Sequence, residues 1–253
     1  LSLPDNVRFF VADTETTGAG PEDKVCEVGW IEIDELGNVL SETQSLIDPQ
    51  MLISPSASGI HGLTNSDVEH APTIEEYFSV DDPSCYGRNI DDPIVLIGHR
   101  ISFDSRFLSP YFTNIAQEVC TLRWARKLYP HSDDHKLATL MFALGLPRPE
   151  NAHRVMSDIY SALYLARHIC DRTGMTLRQL ADASQAPMAV HSMPFGKHKG
   201  QPMSEVPKSY IRWALDNMKD LDADFIYTFE LALNKKKNNE QSTGPAGLSG
   251  LRP

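Results

Sequence analysis

The chain has 253 residues, 41% of them hydrophobic and 23% charged, and a formal net charge of −11. That length buries a sizeable core in one or two domains, and the acidic excess argues against a protein that coats nucleic acid through a general positive field. No apolar run reaches the ~18 residues of a membrane span, Leu1-Ser2-Leu3-Pro4-Asp5 does not read as a signal peptide, and Cys26, Cys85, Cys120 and Cys170, scattered and without a CxxC pair, read as reduced thiols of a cytoplasmic protein with no membrane contact.

Taken in order, Val7 to Thr14 predicts a buried first strand. Residues two apart share a face, so Phe9, Val11, Asp13 and Glu15 line up on one side, apolar first and then doubly acidic. Two close carboxylates repel and lose hydration; that face calls for positive charge, and a pair of divalent cations fits. Val25 to Ile33 and Val39 to Ile47 predict two further strands around the turn Asp34-Glu35-Leu36-Gly37-Asn38, a meander rather than a run of βαβ units. Ser54-Pro55, with a glycine following, predicts a short helix capped at both ends. A helix is expected around Thr73 to Ser79, then an exposed acidic loop within residues 67–92.

Ile94 to Gly98 is wholly apolar and predicts a central strand. Ser102 reads as an N-cap with Asp104 in the first helical turn. Residues Ile94 to Pro130 carry Arg100, Arg106, Arg123, Arg126 and Lys127 against Asp104 and Glu118, a local positive balance. Helices are expected over Cys120 to Tyr129 and Lys136 to Leu144, and from Val155, where Val155, Ile159, Ala162, Ala166 and Ile169 recur at helical spacing. Thr176 caps another short helix. Composition changes near Pro187: Phe195-Gly196-Lys197-His198-Lys199-Gly200 predicts a basic turn between two short strands, followed by helices over Ser209 to Met218 and Ala223 to Leu233. From Lys235 the chain is polar and aperiodic and reads as disordered.

Four carboxylates stand out: Asp13 and Glu15 at the end of the first strand, Asp104 after the central strand, and Asp158 in the helix from Val155. All fall where an open α/β sheet places ligands, beyond strand ends or on a flanking helix. His153 precedes Asp158 by five residues. In one continuous helix the two would point about 140° apart, so His153 belongs in the preceding loop, where a near-neutral imidazole suits a general base.

Four stretches carry a family resemblance. Asp13-Thr14-Glu15-Thr16-Thr17-Gly18 resembles the first motif of the DEDDh, DnaQ-like exonucleases, and Ile60-His61-Gly62-Leu63-Thr64 resembles the I-H-G-[IL]-T stretch between motifs one and two. His99-Arg100-Ile101-Ser102-Phe103-Asp104 is similar to H-N-x-x-F-D, and His153-Arg154-Val155-Met156-Ser157-Asp158 to H-x-A-x-x-D. Arg100 stands where the family has Asn, and Val155 where it usually has Ala. Phe195 to Gly200 and Tyr210 to Leu215 are similar to the C-terminal part of exonuclease X-type enzymes, which extends the resemblance over residues 7–233.

The resemblance implies an α/β, RNase H-like mixed sheet flanked by helices, with a small C-terminal α+β module. The implied division is an exonuclease domain over 1–172, a helical linker over 173–187, the small module over 188–234 and a disordered tail over 235–253. It further implies two-metal hydrolysis of phosphodiester bonds from a 3′ end, releasing 5′-mononucleotides. Asp13, Glu15, Asp104 and Asp158 would hold two Mg²⁺ or Mn²⁺ ions, a choice that the all-oxygen ligand set supports, and His153 would accept a proton. Thr14, Thr16, Thr17, His61, Phe103 and Arg100 would position the substrate. The expected partner is single-stranded DNA or a nucleic-acid 3′ end; RNA 3′-end trimming and a non-catalytic end-binding module are the competing readings, and a homodimer stays open.

Overall fold

The computed structural model describes residues 2–79, 92–149, 154–193, 195–219 and 221–234. The expected acidic loop over 80–91, the tail from Lys235 and His153 lie outside them. The described residues divide into two compact units, the first ending at Ala186 and the second starting at Pro187.

In the first unit, the strands are β1 (Arg8–Thr16), β2 (Val25–Ile33), β3 (Val39–Leu46), β4 (Ile94–Gly98) and β5 (Ile115–Cys120). They form one mixed sheet in the order β3-β2-β1-β4-β5, with β1 to β3 antiparallel and β1, β4 and β5 parallel. This is the α/β, RNase H-like mixed sheet that the motifs imply. The helices are α1 (Pro55–His61), α2 (Asn65–Val68), α3 (Ile74–Ser79), α4 (Ser102–Leu108), α5 (Thr121–Leu128), α6 (Leu137–Ala143), α7 (Val155–Thr173) and α8 (Leu177–Ser184).

One sheet face carries Phe10, Ala12, Val28 and Trp30 in a core with Phe78, Leu108 and Phe112. Aromatic geometry locks this layer: the Trp30 ring stacks on Phe78 at 5.8 Å and meets Phe112 edge-on at 5.3 Å. On the other face α7 packs across β1 and β2, burying Val155, Ile159, Ala162 and Ala166. Gly29 allows that approach: a Cβ there would stand 2.9 Å from Val155 Cγ2 and 3.1 Å from Ile159 Cδ1. Because Gly29 pairs with Asp13, the close contact brings the start of α7 onto the acidic end of β1.

Two local expectations need correction. Ile115–Cys120 is a strand, and the helix over Cys120 to Tyr129 begins only at Thr121. Ser102 is the first helical residue of α4; Ile101 occupies the cap position and makes no side-chain cap bond. The stretch expected as a helical linker over 173–187 does form its helix, α8, which docks on β5 and α5: Gln117 Nε2 donates to Asp182 Oδ1 (3.1 Å) and Trp124 Nε1 to the Ser184 hydroxyl (2.8 Å). The caps at Ser54 and Thr176 form as their sequences imply, with Ser54 Oγ accepting the Ala57 N–H and Thr176 Oγ1 the Gln179 N–H.

In the second unit, α9 (Lys208–Asn217) and α10 (Ala223–Asn234) enclose a core of Met193, Met203, Ile211, Ala214, Phe225 and Phe229. The basic turn is a 3₁₀ turn, Gly196–His198, and the two expected strands reduce to a single bridge between Ser192 and Pro202.

Candidate active site

Asp13 and Glu15 lie within β1, half-buried on the face that receives α7. Asp158, in the first turn of α7, joins them: one carboxylate oxygen from each of Asp13, Glu15 and Asp158 lies within 4.8 Å of the others. Asp104 comes in from α4. Beyond the last β1–β4 partners, Val11 and Ile97, no strand among the described residues continues along this edge of β1, and Asp104 takes that place. Its Oδ1 accepts the Thr14 N–H at 3.0 Å and the Thr14 hydroxyl at 2.8 Å. Gly98 makes the turn into α4 tight enough for this, since a Cβ there would stand 2.7 Å from Ile101 Cδ1 and 3.0 Å from the Ala12 carbonyl.

The electrostatics follow from this crowding. Burial, then Asp104, Asp158, Glu15 and Glu27, holds the Asp13 carboxyl well above the usual range. Burial, then Asp158, Glu27 and Asp104, pushes Glu15 up to about 8. Burial raises Asp104 to about 7 against the opposing pull of its two Thr14 hydrogen bonds and of Arg100. Like charges in a partly dry site raise one another's proton affinity. The cluster is therefore short of positive charge, and its hard oxygen donors suit a divalent ion of the Mg²⁺ or Mn²⁺ type.

Glu27 and Arg154 belong to this site and were not singled out from the sequence. Glu27 faces Glu15 directly across the β1–β2 ladder, where like charges destabilise. Its buried carboxylate receives Arg154 through Nε at 3.0–3.1 Å and Nη2 at 2.5 Å. Arg154 is the residue immediately before α7, so the pair fixes the start of that helix to β2. The signal was a glutamate inside the apolar run Val25-Cys26-Glu27-Val28: a buried charge requires a partner.

The residues expected to position substrate mostly hold the site together. Thr14 supports Asp104. The Thr16 hydroxyl donates to the Gly18 carbonyl at 2.7 Å, and the Thr17 hydroxyl donates to Asp23 Oδ1 at 2.7 Å while accepting the Lys24 N–H at 3.1 Å. His61 is buried; its Nδ1 accepts the Leu63 N–H at 3.1 Å, leaving Nε2–H to donate to the Thr16 carbonyl at 3.2 Å. Both ring nitrogens thus meet backbone, Nε2 also lies 3.8 Å from Cys26 Sγ, and His61 braces the end of β1. Burial holds its pKa below the ordinary value.

Phe103 is half-buried on α4. The Arg106 guanidinium carbon lies 4.5 Å from its ring centroid and 4.4 Å from that of Phe107, and Arg100 approaches Phe103 at 6.0 Å. Arg106 also reaches the Ala19 carbonyl at 3.3 Å, tying α4 to the loop after β1. Arg100 adopts a φ of 70°, a left-handed conformation that Asn tolerates better and that costs Arg on the order of 1 kcal/mol.

A family model described as Exonuclease (RNase_T) matches residues 10–166, and a second, named for a quorum-sensing-regulated virulence factor, matches residues 184–218. The chain is similar to Exodeoxyribonuclease 10 of Escherichia coli strain K12, 27% identical over 226 residues that cover 87% of this chain and 96% of that protein. It is similar to the DNA polymerase III PolC-type of Thermotoga petrophila, 33% identical over 167 residues, 61% of this chain but 11% of that protein. The solved structure of exonuclease X in complex with 5′ overhanging duplex DNA superposes with a TM-score of 0.55 and 26% identity, covering 69% of this chain and 98% of that one. Escherichia coli exonuclease I with a dT13 oligonucleotide shares the fold at a TM-score of 0.56 and 18% identity, covering 85% of this chain and 60% of that one. With more than half its length matched by the family model, the chain belongs to the RNase_T exonuclease family, in its DEDDh 3′→5′ group.

Proposed function

We propose that the protein is a divalent-metal-dependent exonuclease that removes 5′-mononucleotides from the 3′ end of DNA, acting on single strands or 3′ overhangs. The observation that carries this reading is the convergence of Asp13, Glu15 and Asp158, from a strand and a helix far apart in sequence, with their oxygens within 4.8 Å. Similarity to an exodeoxyribonuclease along nearly the whole of both chains supports DNA as the substrate.

Asp13, Glu15 and Asp158 would hold one ion, and Asp13 with Asp104 a second. When bound, such ions lower the pKa of a water nucleophile and stabilise the leaving 3′ oxygen. The chain's own groups do the rest. Thr14 orients Asp104 by occupying one of its oxygens. The Glu27–Arg154 pair holds the start of α7 and with it Asp158. His153, adjoining Arg154, accepts the proton of the attacking water. The Phe103 ring, backed by Arg106, offers a face to the terminal base regardless of its identity.

The test is incubation of the purified chain with 3′- and 5′-labelled single- and double-stranded DNA and RNA, with Mg²⁺, Mn²⁺ or EDTA. Mononucleotides released from DNA 3′ ends in the metal arms support the proposal. Preferential trimming of RNA would move the substrate to RNA, and internal cuts would overturn the reaction class.

A further inference from the structure

Three tryptophans occur in the chain. Trp30 and Trp124 are buried at 1% exposure each, whereas Trp213 on α9 is 51% exposed. It does not stand alone. Tyr210, one turn earlier on the same helix, lies 5.5 Å from Trp213 with ring planes tilted by 31°. His198 meets Tyr210 edge-on at 4.5 Å, and Lys197 Nζ is 5.3 Å from the Tyr210 centroid. The opposite side of α9, through Ile211 and Ala214, is sunk in the core of the second unit, so these rings are mounted on a packed helix. The turn that brings Lys197 and His198 to them is held by backbone bonds from Met193 N to Gln201 O at 2.9 Å and from Gly200 N to Met193 O at 2.7 Å.

Residues 197–216, which contain these rings, carry a charge balance opposite in sign to that of the chain. Lys197, Lys199 and Arg212 are exposed, and the carboxylates in this stretch are Glu205 and Asp216. An acidic protein that sets cations near an exposed indole, itself braced by a half-buried phenol, presents two attractions at once, a π-face for planar rings and positive charge for phosphates. A polynucleotide single strand offers both at each residue. A protein partner would satisfy the rings but has no general need of the cations, and a duplex hides its base faces.

We infer that the second unit carries its own single-strand-binding surface, on which Trp213, braced by Tyr210, stacks a base while Lys197, Lys199 and Arg212 meet phosphates. It stands on these residues alone and does not depend on the reading of the acidic cluster. The strand is bound without base identity being read, because every base has a stacking face.

The buried state of the other two indoles makes the test direct. The full chain is titrated in EDTA with dT16, with an abasic 16-mer and with polyglutamate, following tryptophan fluorescence and, in parallel, anisotropy of labelled dT16. Quenching by dT16 but not by the abasic strand or polyglutamate is expected. Trp213→Ala should remove the quenching and weaken dT16 binding about 5- to 150-fold, with an unchanged circular dichroism spectrum because the side chain is half in water. Lys197→Gln and Lys199→Gln should each lower the dependence of log Kd on log salt by about 0.7. Absence of quenching, equal quenching by the abasic strand, or undiminished binding by Trp213→Ala overturns the inference. Hydrolysis of 3′ ends without quenching would sink this surface and leave the nuclease reading standing; quenching without hydrolysis would do the reverse.

Discussion

At the scale of single residues, the acids of β1 are held apart from their ordinary chemistry by one another. Asp13, Glu15 and Asp104 keep protons to higher pH than free carboxyls do, Glu15 to about 8 and Asp104 to about 7. Unfolded, the same groups release them near 3.8 to 4.5. Between those limits the folded state binds more protons than the unfolded one, so the stability of metal-free protein falls as pH rises from about 4.5 to about 8. Divalent ions bound at the cluster would displace those protons and are expected to restore stability most at the upper end of the window. Thermal melts in EDTA and in Mg²⁺ at pH 5.5 and 8 check this; a melting temperature in EDTA that rises over the window contradicts it. Removing one charge should relieve the repulsion: Glu15→Gln is expected to melt a few degrees higher than the parent in EDTA at pH 8 and to lose the stabilisation by Mg²⁺.

Elements matter because no one of them contains the site. β1 brings two acids, α4 brings Asp104 to the strand edge that β4 leaves open, and α7 brings Asp158 over Gly29. Gly29→Ala places a Cβ 2.9 Å from Val155, which should cost about 1–3 kcal/mol in overpacking and lower turnover by shifting Asp158, measured by denaturant melts and by kcat on an oligonucleotide. Arg154→Ala leaves Glu27 buried and unpaired. Because the Arg154 side chain is 44% exposed, the loss should be about 2 kcal/mol, below the ~3–5 kcal/mol of a fully buried pair. The double variant Glu27→Gln, Arg154→Ala should recover part of it; a double variant no more stable than Arg154→Ala would remove the ion pair from the account.

These elements also show what was legible in the chain. β4, the apolar first half of β1 and most of β2 announce themselves because strand segments buried on both faces are written mainly in apolar residues. β5 does not: Ile115-Ala116-Gln117-Glu118-Val119-Cys120 interleaves polar residues and borders the sheet, and its pairing with β4 is a long-range fact that local pattern does not carry. The motif acids were legible because their residue types are unusual at strand ends and helix starts. The inward role of His61 was not, since it depends on Leu63 and Thr16 both turning their backbone toward one ring. Glu27 was visible as an anomaly, but its partner lies 127 residues away, and a single chain does not say which cation will answer a buried charge.

For the whole molecule, a net charge of −11 sets the problem that the fold has to solve. A polyanionic substrate has to approach an acidic protein and reach its most acidic point. On the proposed reading, divalent ions would reverse the sign at the cluster itself, while Arg106 on α4 and the cations near Trp213 in the second unit would offset it locally elsewhere. Among the described residues no helix is long and apolar enough to cross a membrane, and Cys26, Cys120 and Cys170 are free thiols, so neither an anchoring helix nor disulfides among these three shape this arrangement. The activity should accordingly be lost with EDTA, return with Mg²⁺ or Mn²⁺, and weaken as salt screens the approach of the strand.

The central claim is that Asp13, Glu15 and Asp158 form a cation site that drives hydrolysis at a 3′ end. It is tested most directly by comparing the parent chain with Asp158→Asn on a 5′-labelled single-stranded oligonucleotide in Mg²⁺, with melting curves of both proteins alongside. The expected result is a ladder shortening one nucleotide at a time from the 3′ end for the parent, a rate lower by more than about a hundredfold for Asp158→Asn, beyond what losing an outer-shell partner costs, and no loss of thermal stability. An Asp158→Asn protein that is folded and degrades the strand at the parent rate would contradict the account.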